Sequence, residues 1–329
     1  MSRPFATATA VGSWPGTAPR GAAEVIVGEL GLPYLPELPA RGVGADLIGR
    51  AGALLVDIAI DTVPRGYRIV ARPGAVVRTS VSLLDEDLDA LEEAWEKAGE
   101  STGGRAVKVQ APGPVTLAAQ LELPNGHRAI TDAGAIRDLT ASLAEGVALH
   151  RAEVARRLST TVVVQFDEPL LPAALAGRLT GVTALSPVHP IDEARAIGML
   201  DDCVSAAGTD VMVHCCAEGV PWTVLQRSTV TAVSLDCLAF SGELDGLGEF
   251  IDSGRTVVLG LIPAVVPEDR CTAEDVAAAA ADITDRLGFA RSVLAGQIGI
   301  SPVCGLAGAT DAWARAATTL TQRALGDLR

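Results

Sequence analysis

Positive charge is what this sequence most conspicuously lacks. It sets 26 Lys and Arg against 40 Asp and Glu, a formal net charge of −14. Phosphate backbones and anionic membrane surfaces attract basic proteins, so this balance excludes nucleic acid as a partner and opposes membrane-surface binding. Aromatic residues are equally scarce, at 3%, which removes the stacking platform that single-stranded nucleic acid requires. No run approaches 18 uninterrupted apolar residues, so no membrane span is expected. The opening MSRPFATATA lacks the basic-then-apolar pattern of an export signal. The six cysteines are too sparse for a disulfide scaffold and are expected as reduced thiols in a cytoplasm. Neither glycine-rich phosphate loop, GxGxxG nor GxxxxGK followed by Ser or Thr, occurs.

What is present is a large supply of Ala, Val, Leu and Ile, with 49% hydrophobic residues in all. Short β-branched runs alternate with longer helical patterns. The strand candidates are RAVKVQAPG (105–113), TTVVVQFDEP (160–169), TDVMVHCC (209–216), TAVSLD (231–236), TVVLGLIP (256–263) and GQIGISPVCG (296–305). AIRDLTASLAEGVALHRAEVARRL and ADLIGRAGALLVDIAI carry apolar residues on a recurring face and read as helices. LLDEDLDALEEAWEKAGE, from Leu83, reads as a helix with a solvated acidic face. Near-continuous apolar strands separated by helices mean a parallel sheet covered on its faces. Adding ATATAVGS and GYRIVARPG brings the strand count near eight. The expected fold is therefore a single (β/α)8 TIM-type barrel spanning residues 1–329 as one domain. A doubly wound open sheet is the competitor, and the missing phosphate loop weighs against it. The Pro- and Gly-rich LGLPYLPELPARGVG (30–44) is expected to form a long loop over the barrel mouth.

In such a barrel the reactive groups sit at the C-terminal ends of strands. Asp167-Glu168-Pro169, His214 with Cys216, Asp236, and Cys304 each end a different strand candidate. Alternation along a strand puts residues i and i+2 on one face, so His214 and Cys216 can share an ion while Cys215 points away. Asp236 and Cys304 would complete four-coordination, and this mixture of imidazole, thiolate and carboxylate suits zinc far better than magnesium or calcium. The alternative is a buried strand whose histidine and cysteines merely pack. Cys203, Cys215, Cys237 and Cys271 read as packing residues.

The ordered set GSWPGT, KVQAPGPVTLA, VVQFDEPLL, HCC, VSLD and SPVCGLA, from about residue 7 to 308, resembles the catalytic barrel of cobalamin-independent methionine synthase. That superfamily also includes uroporphyrinogen decarboxylase and zinc-dependent thiol methyltransferases. The resemblance implies Zn2+ on His214, Cys216, Asp236 and Cys304, with aspartate where the family usually has glutamate. It implies a substrate amino acid held by Val11, Gly12, Ser13 and Asp167, with Glu37 standing near the place of a further glutamate. It implies homocysteine or a related small thiol as acceptor, and methylfolate or a methylated corrinoid protein as donor. The family's donor-side tryptophan after GPVT is missing from LAAQLELPNG, and its proton-donating histidine is missing from GLIPAVVPED. His189 and His127 are the remaining proton-donor candidates, and Glu168 is a strand-end acid that serves as an anchor or a base. Two other readings stay open. One is a decarboxylase of the uroporphyrinogen type, although no arginine cluster lies near the N-terminal strand. The other is a zinc-, thiol- or corrinoid-protein-binding homologue without folate-dependent activity.

Overall fold

The computed structural model describes residues 3–100, 104–181, 187–238 and 244–328. All six central strand candidates form strands: β3 (Val107–Pro112), β5 (Val162–Asp167), β6 (Val211–Cys215), β7 (Ala232–Asp236), β8 (Thr256–Ile262) and β9 (Ile298–Pro302). They make one sheet in that order, and every neighbouring pair is parallel. Helices join them, the longest being α5 (Ala133–Leu158), α7 (Glu193–Ala207) and α10 (Ala273–Arg286), and α12 (Asp311–Asp327) follows the last strand. The result is a mixed α/β fold with a parallel sheet. No described helix is long and apolar enough to cross a membrane.

The sheet's two edges are both occupied by N-terminal chain. On β9, Thr9 donates its N–H to Ile300 and Ile300 donates to Thr7, each at 3.1 Å. On β3, Lys108 donates to Pro33 at 2.8 Å and Leu35 donates to Lys108 at 3.0 Å. The two segments also bond each other, Leu32 to Ala8 at 2.9 Å and Glu37 to Gly12 at 3.1 Å. This corrects the expected loop over residues 30–44. Its first half is extended, buried chain, because Leu32, Tyr34, Leu35 and Leu38 need an apolar environment that outweighs the punctuation of the prolines.

Two further expectations change. GYRIVARPG does form a strand, β2 (Gly66–Val70), but it belongs to a separate three-stranded sheet with β1 (Ala59–Val63) and β4 (Leu121–Glu122). Only two residues connect β1 to β2, so the pair must be an antiparallel hairpin, since a parallel partner needs a long crossover. ADLIGRAGALLVDIAI is helical only over α2 (Leu47–Ala51), and its β-branched end enters β1. The acidic segment from Leu83 lies within α3 (Ala75–Lys97) as expected.

Pleating separates the sheet into two chemically different faces. One face carries Val109, Ala111, Val164, Phe166, Val213, Cys215 and Leu235, which pack into the main core with helix residues such as Leu139, Leu143 and Leu200. The other carries a small apolar layer of Phe5, Leu32, Val163, Met212, Ala232 and Val258. Toward the C-terminal strand ends that second face turns polar, with Gln110 level with Gln165, and Asp167 level with His214 and then Ser234. The site is built on this polar end.

Helix α10 begins with a reciprocal cap: Asp275 N–H donates to Thr272 Oγ1 and Thr272 N–H donates to Asp275 Oδ2, both at 3.2 Å. Thr272→Ala is expected to destabilise the fold by about 1 kcal/mol, read as a lower urea midpoint at unchanged slope.

Candidate metal centre and active site

Strand alternation brings His214 and Cys216 to one side of the β6 end, and the turn after β9 brings Cys304 against them. Among the described residues these three form a group whose ligand atoms all lie within 4.8 Å of one another. The two Sγ atoms are 3.3 Å apart. Ligand distances to zinc are about 2.0–2.3 Å, so this is the scale of a single coordination sphere. Cys215 packs on the opposite, helix-facing side, as the alternation predicts.

The histidine is prepared for a ligand. His214 is buried, its Nδ1 lies 3.2 Å from Ser234 Oγ, and its Nε2 has no hydrogen-bond partner. A buried, unpartnered ring nitrogen is costly unless something binds it, and a hydrogen bond on the other nitrogen fixes the tautomer that binding requires. The sulfurs are polarised in opposite directions. Contact with Cys216, helped by His214 and the Gly305 N–H, holds the Cys304 thiol well below the usual cysteine range. The same contact, together with burial, pushes Cys216 up. The downward shift at Cys304 favours the thiolate, which is the form that ligates metal.

Asp236 lies outside this three-residue group. It stands two residues beyond Ser234 on the same face, and its Oδ1 accepts the Leu238 N–H at 2.9 Å. Val11, Gly12 and Ser13 abut the Cys304 turn: Leu306 N–H donates to Ser13 O at 2.9 Å and Ala307 N–H donates to Ser13 Oγ at 3.3 Å. Gly305 is required there, because a Cβ would meet Ser13 Oγ. Glu37 is paired in register with Ser13 and buried, and its Oε1 makes no hydrogen bond but lies 3.7 Å from Arg50 Nε. Burial raises its pKa against the pull of Arg50. Asp167 is beside His214 in the ladder, and burial raises its pKa against His214 and Lys108.

Glu168 is fully buried and faces away from the metal group's chemistry. Its Oε1 accepts the Val115 N–H at 2.8 Å, and its Oε2 accepts the Thr116 N–H at 2.8 Å and Thr116 Oγ1 at 2.7 Å. It anchors the start of α4 (Pro114–Gln120) and leaves no room for a side chain at Gly113. His189 and His127 are exposed loop residues outside the three-residue group, so the structure does not bring either to the sulfurs. His189 instead lines a groove with Ile130, Ile136 and Arg195.

Sequence reasoning passed over Lys108, Gln110, Gln165 and Ser234. The usable signal was polar residues recurring at i and i+2 in apolar strands, as in KVQ and QFD. Beside Thr116, a cavity of about 350 Å³ is lined by Asp46, Tyr67, Gln120 and Leu170 among others. Tyr67 is the one aromatic among its lining residues.

The family profile described as the catalytic domain of cobalamin-independent synthase matches residues 5–325. The chain belongs to that family. It is accordingly a methyltransferase, and methyl transfer to homocysteine in methionine biosynthesis is the family's chemistry. The family match leaves the decarboxylase reading without support. Among solved structures, a B12-independent methionine synthase from Shewanella sp. W3-18-1, in complex with selenomethionine, is similar with a TM-score of 0.58. The sequences are 14% identical, and the match covers 100% of this chain and 95% of that one, so the likeness is one of fold. No curated protein sequence matches significantly.

Proposed function

We propose that this family member is a zinc-dependent methyltransferase whose acceptor is a small thiol, homocysteine or a close relative. The observation that carries the reading is the convergence of His214, Cys216 and Cys304 from two strand ends on a space of single-ion size, with His214 Nε2 buried and unpartnered. Two sulfurs and an imidazole fit zinc by donor softness. Asp236, on the same face of β7 as Ser234, is assigned as the fourth protein donor. When bound, zinc lowers the pKa of a coordinated thiol so that a thiolate persists at neutral pH.

The chain's own residues do the rest. Ser234 holds the imidazole. Val11, Gly12 and Ser13 offer backbone groups and a hydroxyl to the acceptor's carboxylate end, while Asp167 and Glu37 offer carboxylates to its ammonium. Holding the acceptor at both ends aims its sulfur at the donor methyl for in-line attack. We assign residues 1–329 to one domain, a (β/α)8 barrel in which the two N-terminal segments serve as the strands joining β9 to β3, and we place the protein in the cytoplasm. The donor is methylfolate or a methylated corrinoid protein, and the near absence of aromatic lining beside Gln120 favours a donor that needs no stacking platform.

Protein purified without chelator is expected to carry about one zinc per chain and to form methionine from homocysteine with one of the two donors. Metal analysis and mass spectrometry of the product check this. Zinc-free protein would overturn the metal assignment, and zinc-loaded protein inert with both donors would favour the binding homologue without methyl transfer.

A further inference from the structure

The most unusual group in the molecule is an ammonium buried in the sheet. Lys108, on β3, is fully inaccessible to solvent. Its Nζ donates to Ala10 O at 2.5 Å, to Val11 O at 2.8 Å and to Gln165 Oε1, so all three donors are used. The ring of Tyr34 lies 5.2 Å from Nζ, within cation–π range. Gln165 passes the connection on: its Nε2 donates to Val11 O at 2.8 Å and to Asp167 Oδ1 at 2.7 Å. One cation thereby touches the backbone leading into Gly12 and Ser13 directly and reaches the Asp167 carboxylate through Gln165.

A buried charge is a poor device for stability alone, because an apolar side chain of similar volume often does as well. What the ammonium adds is directionality. Three fixed bonds set the Ala10–Val11 carbonyls, and through Gln165 they set one oxygen of Asp167 and leave its other oxygen for a ligand. Burial pulls the Lys108 pKa down to about 7, against the attraction of two buried carboxylates, Asp167 and Glu37. We infer that Lys108, acting through Gln165, is a positioning residue that fixes the spacing between the Val11-Gly12-Ser13 backbone and the Asp167 carboxylate, and so sets acceptor affinity. This rests on the proposal that those groups bind the acceptor's amino-acid end.

The test uses the zinc-loaded full chain with Lys108→Met, Gln165→Met and Lys108→Arg. Methionine and homocysteine binding are measured by calorimetry, metal content by atomic absorption, and folding by circular dichroism. Lys108→Met and Gln165→Met are expected to keep their zinc and their fold while binding weakens about 10- to 100-fold, the scale of losing a charge-assisted bond. KM for the thiol should rise by a similar factor, and Lys108→Arg should recover part of it. If Lys108→Met does not fold, Gln165→Met decides, since it keeps the ammonium on its two carbonyls and removes the bonds that Gln165 makes to Lys108, Val11 and Asp167. Binding within twofold of the parent in the folded variants overturns the positioning role and leaves the acceptor site intact. A parent that binds neither amino acid overturns the acceptor site itself, and the positioning role with it.

Discussion

His214→Ala, Cys216→Ser and Cys304→Ser are each expected to reduce metal content from about one zinc per chain to near zero, and methyl transfer by roughly a thousandfold or more. Lewis-acid activation contributes several kcal/mol, and each 1.36 kcal/mol is tenfold in rate. The three variants should behave alike because each removes one donor from a group spanning 4.8 Å, and the donors left cannot hold the ion against water. Cys→Ser is nearly isosteric and Cys216 and Cys304 are only partly buried, so apo-protein stability should move little and the loss is assignable to ligation. Two neighbours give contrasting controls. Cys215→Ser, on the helix-facing side, should retain zinc. Ser234→Ala should retain it at saturating metal but with affinity lowered about 10- to 100-fold, the usual effect of removing an outer hydrogen bond from a ligating histidine. Asp236→Ala decides the fourth donor. If that variant binds zinc as tightly as the parent, Asp236 serves only the turn in which it accepts the Leu238 N–H.

Much of this site was legible because strand alternation is a strict rule. From VMVHCC alone, His214 and Cys216 had to share a face and Cys215 had to leave it, and the core contacts of Cys215 agree. The six central strands were equally legible, since near-continuous β-branched runs have few other homes. Asp236 was harder. Alternation places it on the correct face, but its distance from the sulfurs depends on the conformation of the following turn, which residue type does not encode. The stretch over residues 30–44 was misread for a related reason. Pro33, Pro36 and Pro39 mark a loop by composition, yet the leucines between them are buried, and burial is a property of the assembled sheet. GYRIVARPG was recognised as a strand and assigned to the wrong sheet, because partner choice follows from the two-residue connection to β1, and β1 itself had been absorbed into a helix pattern. Lys108 and Gln165 escaped notice through their chemistry. A lysine in an apolar strand reads as an edge position until the acceptors of all its protons are seen.

Glu168→Ala is expected to destabilise the fold by about 3–5 kcal/mol, the largest stability loss among the site's acids. The change strips the acceptor from two backbone N–H groups and one hydroxyl, all buried, at the start of α4. An unsatisfied buried donor costs about 1–3 kcal/mol, and three donors lose their acceptor here. Water cannot replace the carboxylate easily, because Gly113, Val115 and Thr116 close around it and the glycine is there to admit it. Against a typical domain stability of about 5–15 kcal/mol, the variant should fold with a much lower urea midpoint. Glu168→Gln separates anchor from base. An amide can accept at one position but presents N–H to N–H at the other, so an anchor predicts a substantial stability loss there as well, with zinc retained by the molecules that remain folded. A base predicts the reverse pattern, stability close to the parent with a collapse of kcat. The geometry favours the anchor, since the three short bonds engage both carboxylate oxygens and point them into α4, while the sulfurs gather at the ends of β6 and β9.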